Sequence, residues 1–132
     1  MFDLSKSEME IMSVLWAADK PLSRAEILER STQKSWKESS IHILLNSMLK
    51  KQAITVSGFT KTGSHYGRTF VPTMTEAQYA SAQIQQMQSY KKSKKNTVMN
   101  VFSALLDEAD LNEDTIQELE RLLEEKKARK KK

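Results

Sequence analysis

The sequence contains no cysteine and only three glycines and two prolines among its 132 residues. The lack of cysteine excludes disulfides, thiolate metal sites and cysteine nucleophiles. Because glycine and proline are so scarce, long irregular loops and low-complexity linkers are not expected. No stretch approaches the ~20 consecutive apolar residues that a membrane-spanning helix needs. The chain is therefore expected to form regular secondary structure without cross-links and without a membrane as a partner.

Charge and the N-terminal residues bear on partners and location. The stretch Met1-Phe2-Asp3-Leu4 has no basic region followed by an apolar run, so no secretion signal is predicted and a cytoplasmic location is expected. Hydrophobic residues make up 39% of the chain, which is enough for a core. The net charge of +4 is compatible with nucleic acid as a partner but does not establish it.

Capping boxes mark the first two predicted helices. Ser5 precedes Glu8 by three residues, and Ser23 precedes Glu26 in the same way. In this motif the serine hydroxyl and the glutamate carboxylate each satisfy a backbone N–H of the first helical turn. The first helix is predicted to end before Pro21, and the second, which is short, to end near Ser31 and Thr32.

The third predicted helix, Lys37 to Lys51, has two chemically different faces. Its apolar residues recur at the spacing of a buried stripe: Ile41, Leu44, Leu45, Met48 and Leu49. Mostly short hydrogen-bonding side chains, which let another large surface approach closely, occupy the opposite face and its flanks: Ser39, Ser40, His42, Ile43, Asn46, Ser47 and Lys50. Ile43 is the exception, because it is apolar and is predicted to point outward.

After the third helix the pattern changes to that of a strand pair. Residues Ala53 to Thr60 and His65 to Val71 are rich in β-branched and aromatic side chains, and residues 60–64 are predicted to form the hairpin tip. The order of three helices and a hairpin predicts a winged helix-turn-helix, whose third helix enters the major groove and whose wing touches phosphates. Lys61 and Arg68 in the wing are either solubilising charges or phosphate contacts.

The C-terminal half is predicted to be helical. Thr75 and Gln78 form a third capping box for a helix to about Lys92, and a solvated hinge is predicted at Lys91–Lys95. Thr97 is expected to cap the next helix, which runs to about Ala109, and Asn112 the last one. The predicted fold is mainly α with a small β-wing: a winged helix over 1–73, a three-helix dimerisation region over 74–127, and a basic, disordered tail over 128–132.

The tail helices carry single-sided apolar stripes and little other large apolar surface. Helices this short are marginal without a packing partner. Pairing of two identical tails would bury these stripes, and a two-fold symmetric protein matches a palindromic duplex. The residues predicted to form the dimer contact are Ile84, Met87, Val101, Phe102, Leu105, Ile116, Leu119 and Leu122.

Three stretches resemble the penicillinase and methicillin-resistance repressor family of the BlaI, MecI and CopY type. They are Leu4-Ser5 with Glu8, Ile11-Met12 and Leu15-Trp16; Trp36-Lys37 with Ser40-Ile41, Leu44-Leu45 and Met48 to Lys51; and Phe70-Val71-Pro72 with Thr75-Glu76 and Tyr79. The resemblance covers about residues 4–127. It implies a homodimeric repressor that binds a palindromic operator through the winged helix and dimerises through the C-terminal helices.

The resemblance also implies how repression is relieved. In the family this happens through proteolysis in the C-terminal part, or through metal at a cysteine-rich tail, which this chain lacks. The family's cut falls between an Asn and a Phe, whereas here Asn100 is followed by Val101 and then Phe102. Asn100–Val101 is therefore the candidate cleavage site and a regulatory protease a candidate partner, with induction by proteolysis left open.

With the resemblance, nine residues become candidate DNA contacts: Lys37, Ser39, Ser40, His42, Ile43, Asn46, Lys50, Lys61 and Arg68. Asn46 can pair with adenine, serine can donate to base edges or phosphates, and Ile43 is expected to touch a thymine methyl. Members often carry a basic residue and Thr in the stretch where this chain has Ser39, Ser40, His42 and Ile43, and an Arg at Ser47. The family's usual operator is therefore not carried over. Trp36 either packs at the helix entrance, which is favoured, or donates its indole N–H to a phosphate.

Other functions remain as alternatives to a repressor that excludes polymerase by occupying its operator. One is a protein-binding winged-helix adaptor with only non-specific DNA affinity, and another is an adaptor with a degenerate DNA site whose tail senses a ligand. An enzyme is not expected, because the sequence has no metal cluster, no Gly-rich phosphate loop and no nucleophile beside a base. His42 and His65, the only histidines, have no accompanying ligand cluster, so neither a metal nor another cofactor is predicted.

Overall fold

The structure is a computed structural model that describes residues 3–62 and 65–130, except for the side chains of residues 62 and 65. The described residues divide into two compact units, with the division between Gln83 and Ile84. The elements, in chain order, are α1 (Lys6–Ala18), β1 (Leu22–Ser23), α2 (Arg24–Arg30), a short 3₁₀ helix (Glu38–Ser40), α3 (Ile41–Lys50), β2 (Ile54–Thr62), β3 (His65–Pro72), α4 (Glu76–Gln85), α5 (Gln88–Lys92), α6 (Lys94–Glu108) and α7 (Glu113–Lys130). The predicted class, mainly α with a small β-wing, is confirmed.

The first unit is built on the predicted helix starts and the predicted stripe. Both capping boxes form, with Ser5 and Glu8 at α1 and Ser23 and Glu26 at α2. One apolar core joins the three helices to the sheet: Ile11, Met12, Leu15, Leu22, Ile27, Trp36, Ile41, Leu45, Met48, Ala53, Ile54 and Phe70. Leu44 and Leu49 of the predicted stripe are partly buried at its edge. The helical spacing of apolar residues thus predicted which face of α3 is inside.

The wing, which consists of β2 and β3, belongs to a three-stranded antiparallel sheet in the order β1-β3-β2. The two-residue strand β1 was not predicted; Leu22 pairs with Phe70 and Ser23 with Thr69. The register of β2 on β3 shifts between Val56 and Gly58. Such a bulge inserts one unpaired residue and increases the local twist of the hairpin.

Some predicted boundaries in the first unit were wrong. The segment Lys37–Lys51 is not one α-helix, because Glu38–Ser40 form a 3₁₀ helix and α3 begins at Ile41. Short 3₁₀ turns are frequent at the N-terminal end of an α-helix. Both strands are longer than predicted, so residues 60–62 of the expected hairpin tip lie in β2. The rest of that tip, Gly63 and Ser64, lies outside the described residues.

The helix predicted to run from Thr75 to Lys92 is interrupted. The capping box forms, since Thr75 Oγ1 accepts from the N–H of Gln78 at 3.0 Å. However, α4 ends at Gln85, and α5 begins only after Met87, whose backbone is extended. The packing of Trp16 on Tyr79, with ring centroids 5.9 Å apart, attaches the start of α4 to the first unit. The units therefore divide after Gln83 rather than at the predicted residue 73.

The second unit also begins its helices differently from the prediction. Ser93, and not Thr97, caps α6, because its extended backbone lets Ser93 Oγ accept from the N–H of Asn96 at 3.3 Å. Thr97 is instead buried inside α6. The predicted hinge Lys91–Lys95 is thus mostly helical. Asn112 caps α7 as predicted, accepting from the N–H of Thr115 at 2.8 Å.

The last helix extends beyond the predicted domain end at residue 127 and reaches Lys130. Acidic residues in its first turn and basic residues in its last turn suit the helix dipole, and Arg121 lies 3.6 Å from Glu125 one turn later. Residues 128–130 are therefore helical rather than disordered, and residues 131–132 of the predicted tail lie outside the described part. No described helix is both long enough and apolar enough to cross a membrane.

Candidate nucleic-acid interface

One side of α3 and of the turn before it is open to solvent. Ile41, Leu45 and Met48 are buried on the core side of the helix. The outer side, which we call the recognition face, consists of the exposed residues Ser39, His42, Ile43, Asn46 and Lys50. Ile43 is 72% exposed although it is apolar. The face therefore offers hydrogen-bonding groups and one aliphatic side chain to whatever approaches.

Three other residues of this segment lie beside the recognition face. Lys37 is exposed just before the 3₁₀ helix, and Ser40 is half-buried directly before α3. Ser47 is turned toward the core, because its hydroxyl donates to Glu8 Oε2 at 2.8 Å. The structure thus brings seven of the predicted residues to the N-terminal end and the outer side of α3. They are Lys37, Ser39, Ser40, His42, Ile43, Asn46 and Lys50.

Glu8 of α1 holds the C-terminal part of α3. Its carboxylate is buried, and it accepts from Lys51 Nζ at 2.6 Å, from Ser47 Oγ at 2.8 Å and from the N–H of Ser5 at 2.8 Å. Burial by itself raises the pKa of Glu8, but the hydrogen bonds from Lys51, Ser5 and Ser47 outweigh it and hold the pKa below its ordinary value. A charged carboxylate therefore fixes the position of α3, which carries the recognition face and is called the recognition helix below.

Arg24 adds a cation beside the recognition face. It is the first residue of α2, it is exposed, and its guanidinium Nη1 contacts Nε2 of His42 on α3. Sequence reasoning missed it, because the nearby capping box explained this part of α2 without it. A signal was present in its position, since the helix that precedes the recognition helix of a helix-turn-helix crosses the DNA backbone.

The wing carries basic and aromatic side chains on one face. Phe59 pairs with Arg68 and Lys61 with Tyr66 across the strands, and residues two apart on a strand point to the same side. Phe59 and Tyr66 are 69% and 73% exposed, respectively. The Arg68 guanidinium lies 5.3 Å from the centroid of the Phe70 ring. The two predicted wing cations therefore share a face with two aromatic residues that the sequence analysis did not single out.

The two tryptophans of the first unit differ in burial. Trp36 is 8% exposed and packs in the core, and among the described residues its indole Nε1 has no hydrogen-bond partner. The buried position of Trp36 agrees with the favoured interpretation, which is that Trp36 packs in the core. Trp16 is half-buried, and its Nε1 donates to the carbonyl oxygen of Met74 at 2.9 Å.

The predicted dimer residues lie in the second unit. Ile84, Val101 and Leu119 are half-buried, whereas Met87, Phe102, Leu105, Ile116 and Leu122 are exposed. An apolar groove of about 420 Å³ lies between α6 and α7 and is lined by side chains including Phe102, Leu106, Ile116, Leu119 and Leu123. Within the described part of this unit, most large apolar side chains are thus left at the surface.

The candidate cleavage site lies within a helix. Asn100 is exposed and Val101 is half-buried, and both are in the interior of α6. Their peptide bond is therefore in helical conformation. Local unwinding of α6 would be needed before this bond could lie extended in a protease.

No metal centre is assembled by the described residues, which contain no group of three or more His, Asp or Glu able to hold an ion. His42 contacts Arg24, which is a cation, and not a carboxylate cluster. The side chain of His65 lies outside the described residues.

Three comparisons relate this chain to known proteins. The family model described as "Penicillinase repressor" matches residues 4–125. The penicillinase repressor of Bacillus licheniformis is 27% identical over 132 residues, covering 97% of this chain and 94% of that protein. A solved structure, the Giardia lamblia Hop2-Mnd1 complex, aligns with a TM-score of 0.36 at 13% identity, covering 96% of this chain and 78% of that one. That last likeness is too slight to carry an argument.

Proposed function

Because the chain belongs to the penicillinase repressor family, we propose that it is a homodimeric transcriptional repressor that binds a palindromic DNA operator. In this proposal α3 enters the major groove and the wing lies on the phosphate backbone. Repression results from occupancy, since a dimer bound over a promoter excludes polymerase. The family is one of repressors and not of enzymes, and no catalytic step is part of the proposal.

The observation that carries the proposal is the two-sided character of α3. One side is buried in the core, and the other presents the recognition face, in which an aliphatic side chain stands among hydrogen-bonding ones. Base edges in the major groove offer donors and acceptors together with the thymine methyl group. Asn46 is suited to adenine, and Ile43 to a thymine methyl. The base edges or phosphates around these two contacts are then bound by the remaining polar residues: Lys37, Ser39, Ser40 and Lys50.

The wing cations supply contacts that do not depend on sequence. Lys61 and Arg68 are exposed on one face of the hairpin, where they are accessible to the negatively charged phosphate backbone of DNA. Each phosphate neutralised by such a residue releases condensed counterions and makes binding more sensitive to salt. These contacts set the orientation of the domain, and α3 reads the bases.

Dimerisation is assigned to the second unit. Its exposed apolar side chains on α6 and α7 form single-sided surfaces, and the groove between these helices is large enough for side chains from a second copy. Pairing of identical surfaces around a two-fold axis gives a closed dimer. The predicted contact residues Ile84, Met87, Val101, Phe102, Leu105, Ile116, Leu119 and Leu122 are proposed to become buried there.

Two features of the family remain proposals for this chain. A regulatory protease could relieve repression by cutting Asn100–Val101, which requires α6 to unwind locally. The repressor is proposed to act in the cytoplasm, where the DNA is accessible to it.

A protein-binding adaptor is the second candidate function. The exposed rings of Phe59 and Tyr66 on the wing favour it, because aromatic residues are enriched in protein interfaces. Such an adaptor would bind DNA weakly, with strong salt sensitivity and no preferred sequence.

One experiment separates the two. The full chain is used to select bound sequences from random duplexes, and the selected and a scrambled duplex are then titrated at several salt concentrations. A repressor selects a palindrome with half-sites about one helical turn apart and binds it at least ~10³-fold more tightly than the scrambled duplex. Equal affinity for both duplexes at every salt concentration would exclude sequence-specific repression.

A further inference from the structure

A small cleft lies between the recognition helix and the wing. It has a volume of about 250 Å³ and belongs wholly to the first unit. Arg24 at the start of α2, His42 on α3, and Tyr66 and Arg68 on β3 contribute to its walls. Phe70, which is buried in the core, also lines it. Three separate elements therefore bring their polar side chains to one place.

The charge of this cleft is of one sign. Two guanidinium groups and an imidazole line it, and none of its described lining residues is acidic. Arginine presents a planar fork of N–H donors that matches phosphate oxygens, and it stays charged under all ordinary conditions. The cleft therefore suits a single phosphate group better than a neutral or cationic ligand.

Both guanidinium groups are held in place before any ligand arrives. Arg24 contacts His42 through Nη1, which leaves the other four N–H donors of its guanidinium outside that bond. Arg68 lies over the ring of Phe70, and that ring is fixed by the core. Because these cations are positioned on rigid elements, little side-chain freedom would be lost when an anion binds between them.

We propose that this cleft binds one backbone phosphate of each operator half-site, between Arg24 and Arg68. The inference rests on the proposed function, and it adds a DNA contact from α2. His42 belongs both to the cleft and to the recognition face, so the phosphate lies at the edge of the major groove that α3 enters. Arg24 then anchors the backbone while it positions His42.

The test compares Arg24→Gln with Arg30→Gln in the full chain, on the duplex that the wild type selects. Arg30 is also an exposed arginine of α2, at its opposite end, so it is a matched control for loss of charge. For Arg24→Gln we expect binding about tenfold weaker per half-site, and a plot of log K against log[salt] flatter by about 0.9 per half-site. Arg30→Gln should keep the wild-type slope.

A second measurement locates the phosphate. Single phosphates of the duplex are replaced by neutral methylphosphonates, one position at a time. At one linkage in each half-site the replacement should weaken the wild type more than it weakens Arg24→Gln, because the variant has already lost one of the two arginine contacts to that phosphate and keeps only that of Arg68. Circular dichroism checks that the variants are folded.

The outcomes are distinct. If the wild type selects no duplex, the proposed function fails. If it selects one and Arg24→Gln has the slope of Arg30→Gln, the phosphate site is wrong. Arginine N–H signals that shift with inorganic phosphate while the DNA slope stays unchanged would assign the cleft to a small free anion, and would equally overturn the proposal.

Discussion

The ammonium group of Lys51 lies 2.6 Å from a carboxylate oxygen of Glu8, a residue that is 43 positions away in the sequence. Glu8 is 2% exposed, and the same carboxylate also accepts from Ser47 and from the backbone of Ser5. A buried charge is tolerated only when it is paired and hydrogen-bonded in this way. The recognition helix is therefore held to α1 by a polar cluster at one end and by the apolar core along one side.

The first prediction concerns this ion pair. Replacing Lys51 by Met should lower the free energy of unfolding by about 1.5–3 kcal/mol, because a charged hydrogen bond to a buried carboxylate is lost. Urea unfolding at neutral pH measures this. The neighbouring Lys50 is exposed and serves as the control, so Lys50→Met should change stability by less than about 0.5 kcal/mol. Equal effects of the two substitutions would mean that the ion pair contributes nothing.

The second prediction is the dependence of stability on pH. The pKa of Glu8 is lower in the folded chain than its ordinary value of 4.5, so the carboxylate stabilises the fold fully above that pH. This stabilisation is lost as the pH falls through the lowered folded value. Glu8→Gln should therefore be less stable at neutral pH and lose less stability on acidification, as measured by urea unfolding from pH 7 to 3.

Other carboxylates contribute to the same acid dependence. Hydrogen bonds from Ser35 lower the pKa of Glu10, and the backbone N–H of Ser23 lowers that of Glu26. Part of the slope should therefore remain in Glu8→Gln. The exposed Glu29 provides a control, and a Glu29→Gln curve that flattens as much as that of Glu8→Gln would contradict the assignment to Glu8.

Local patterns predicted what depends on neighbours along the chain. The Ser5 and Ser23 capping boxes and the buried side of α3 formed as expected, since these depend on residues three or four positions apart. The missed features depend on distant pairing. The contact of Glu8 with Lys51 and the strand β1, which exists only because Leu22 pairs with Phe70, leave no periodic signal in the sequence.

Helix boundaries in the C-terminal half show a different difficulty. Thr97 and Ser93 are both acceptable N-caps, and the sequence does not say which of them has the extended backbone that a cap needs. In the structure Ser93 has it, and Thr97 is buried. The exposed side of α3 follows the predicted periodicity, although Ser47, expected on its flank, turns toward Glu8. Arg24 was missed because it comes from another helix. That these residues contact DNA stays a prediction.

The third prediction concerns Ile43. If it touches a thymine methyl, Ile43→Ala should reduce the preference for that thymine by about 1 kcal/mol, or about fivefold. Replacing the same thymine by uracil removes the methyl alone, and the two changes should not add. Competition binding on the selected duplex measures the cycle. Ile43 is 72% exposed, so stability should not change. If the effects of Ile43→Ala and of the uracil replacement add fully at every thymine, Ile43 does not contact a thymine methyl.

The fourth prediction is the tautomer of His42. Arginine only donates hydrogen bonds, so the contact with Arg24 requires His42 Nε2 to accept and places the ring proton on Nδ1. Long-range ¹⁵N–¹H spectra of the unbound protein at pH 8 should show this tautomer, and Arg24→Gln should move the population toward the Nε2-protonated form. His42→Gln assigns the signals against those of His65. Predominant Nε2 protonation in the wild type would rule out the contact in solution.

The last prediction concerns the dimer. Leu105 on α6 is apolar and 62% exposed, and it is one of the residues proposed to be buried between two copies. Leu105→Glu would place an unpaired charge there, at a cost of about 3 kcal/mol or more. Sedimentation at micromolar concentrations should then detect monomer. The fraction of operator bound should also depend more steeply on protein concentration. Ser103→Glu adds the same charge at an exposed position of the same helix and should leave the dimer intact. A Leu105→Glu protein that stays dimeric would show that the two copies meet through a different surface.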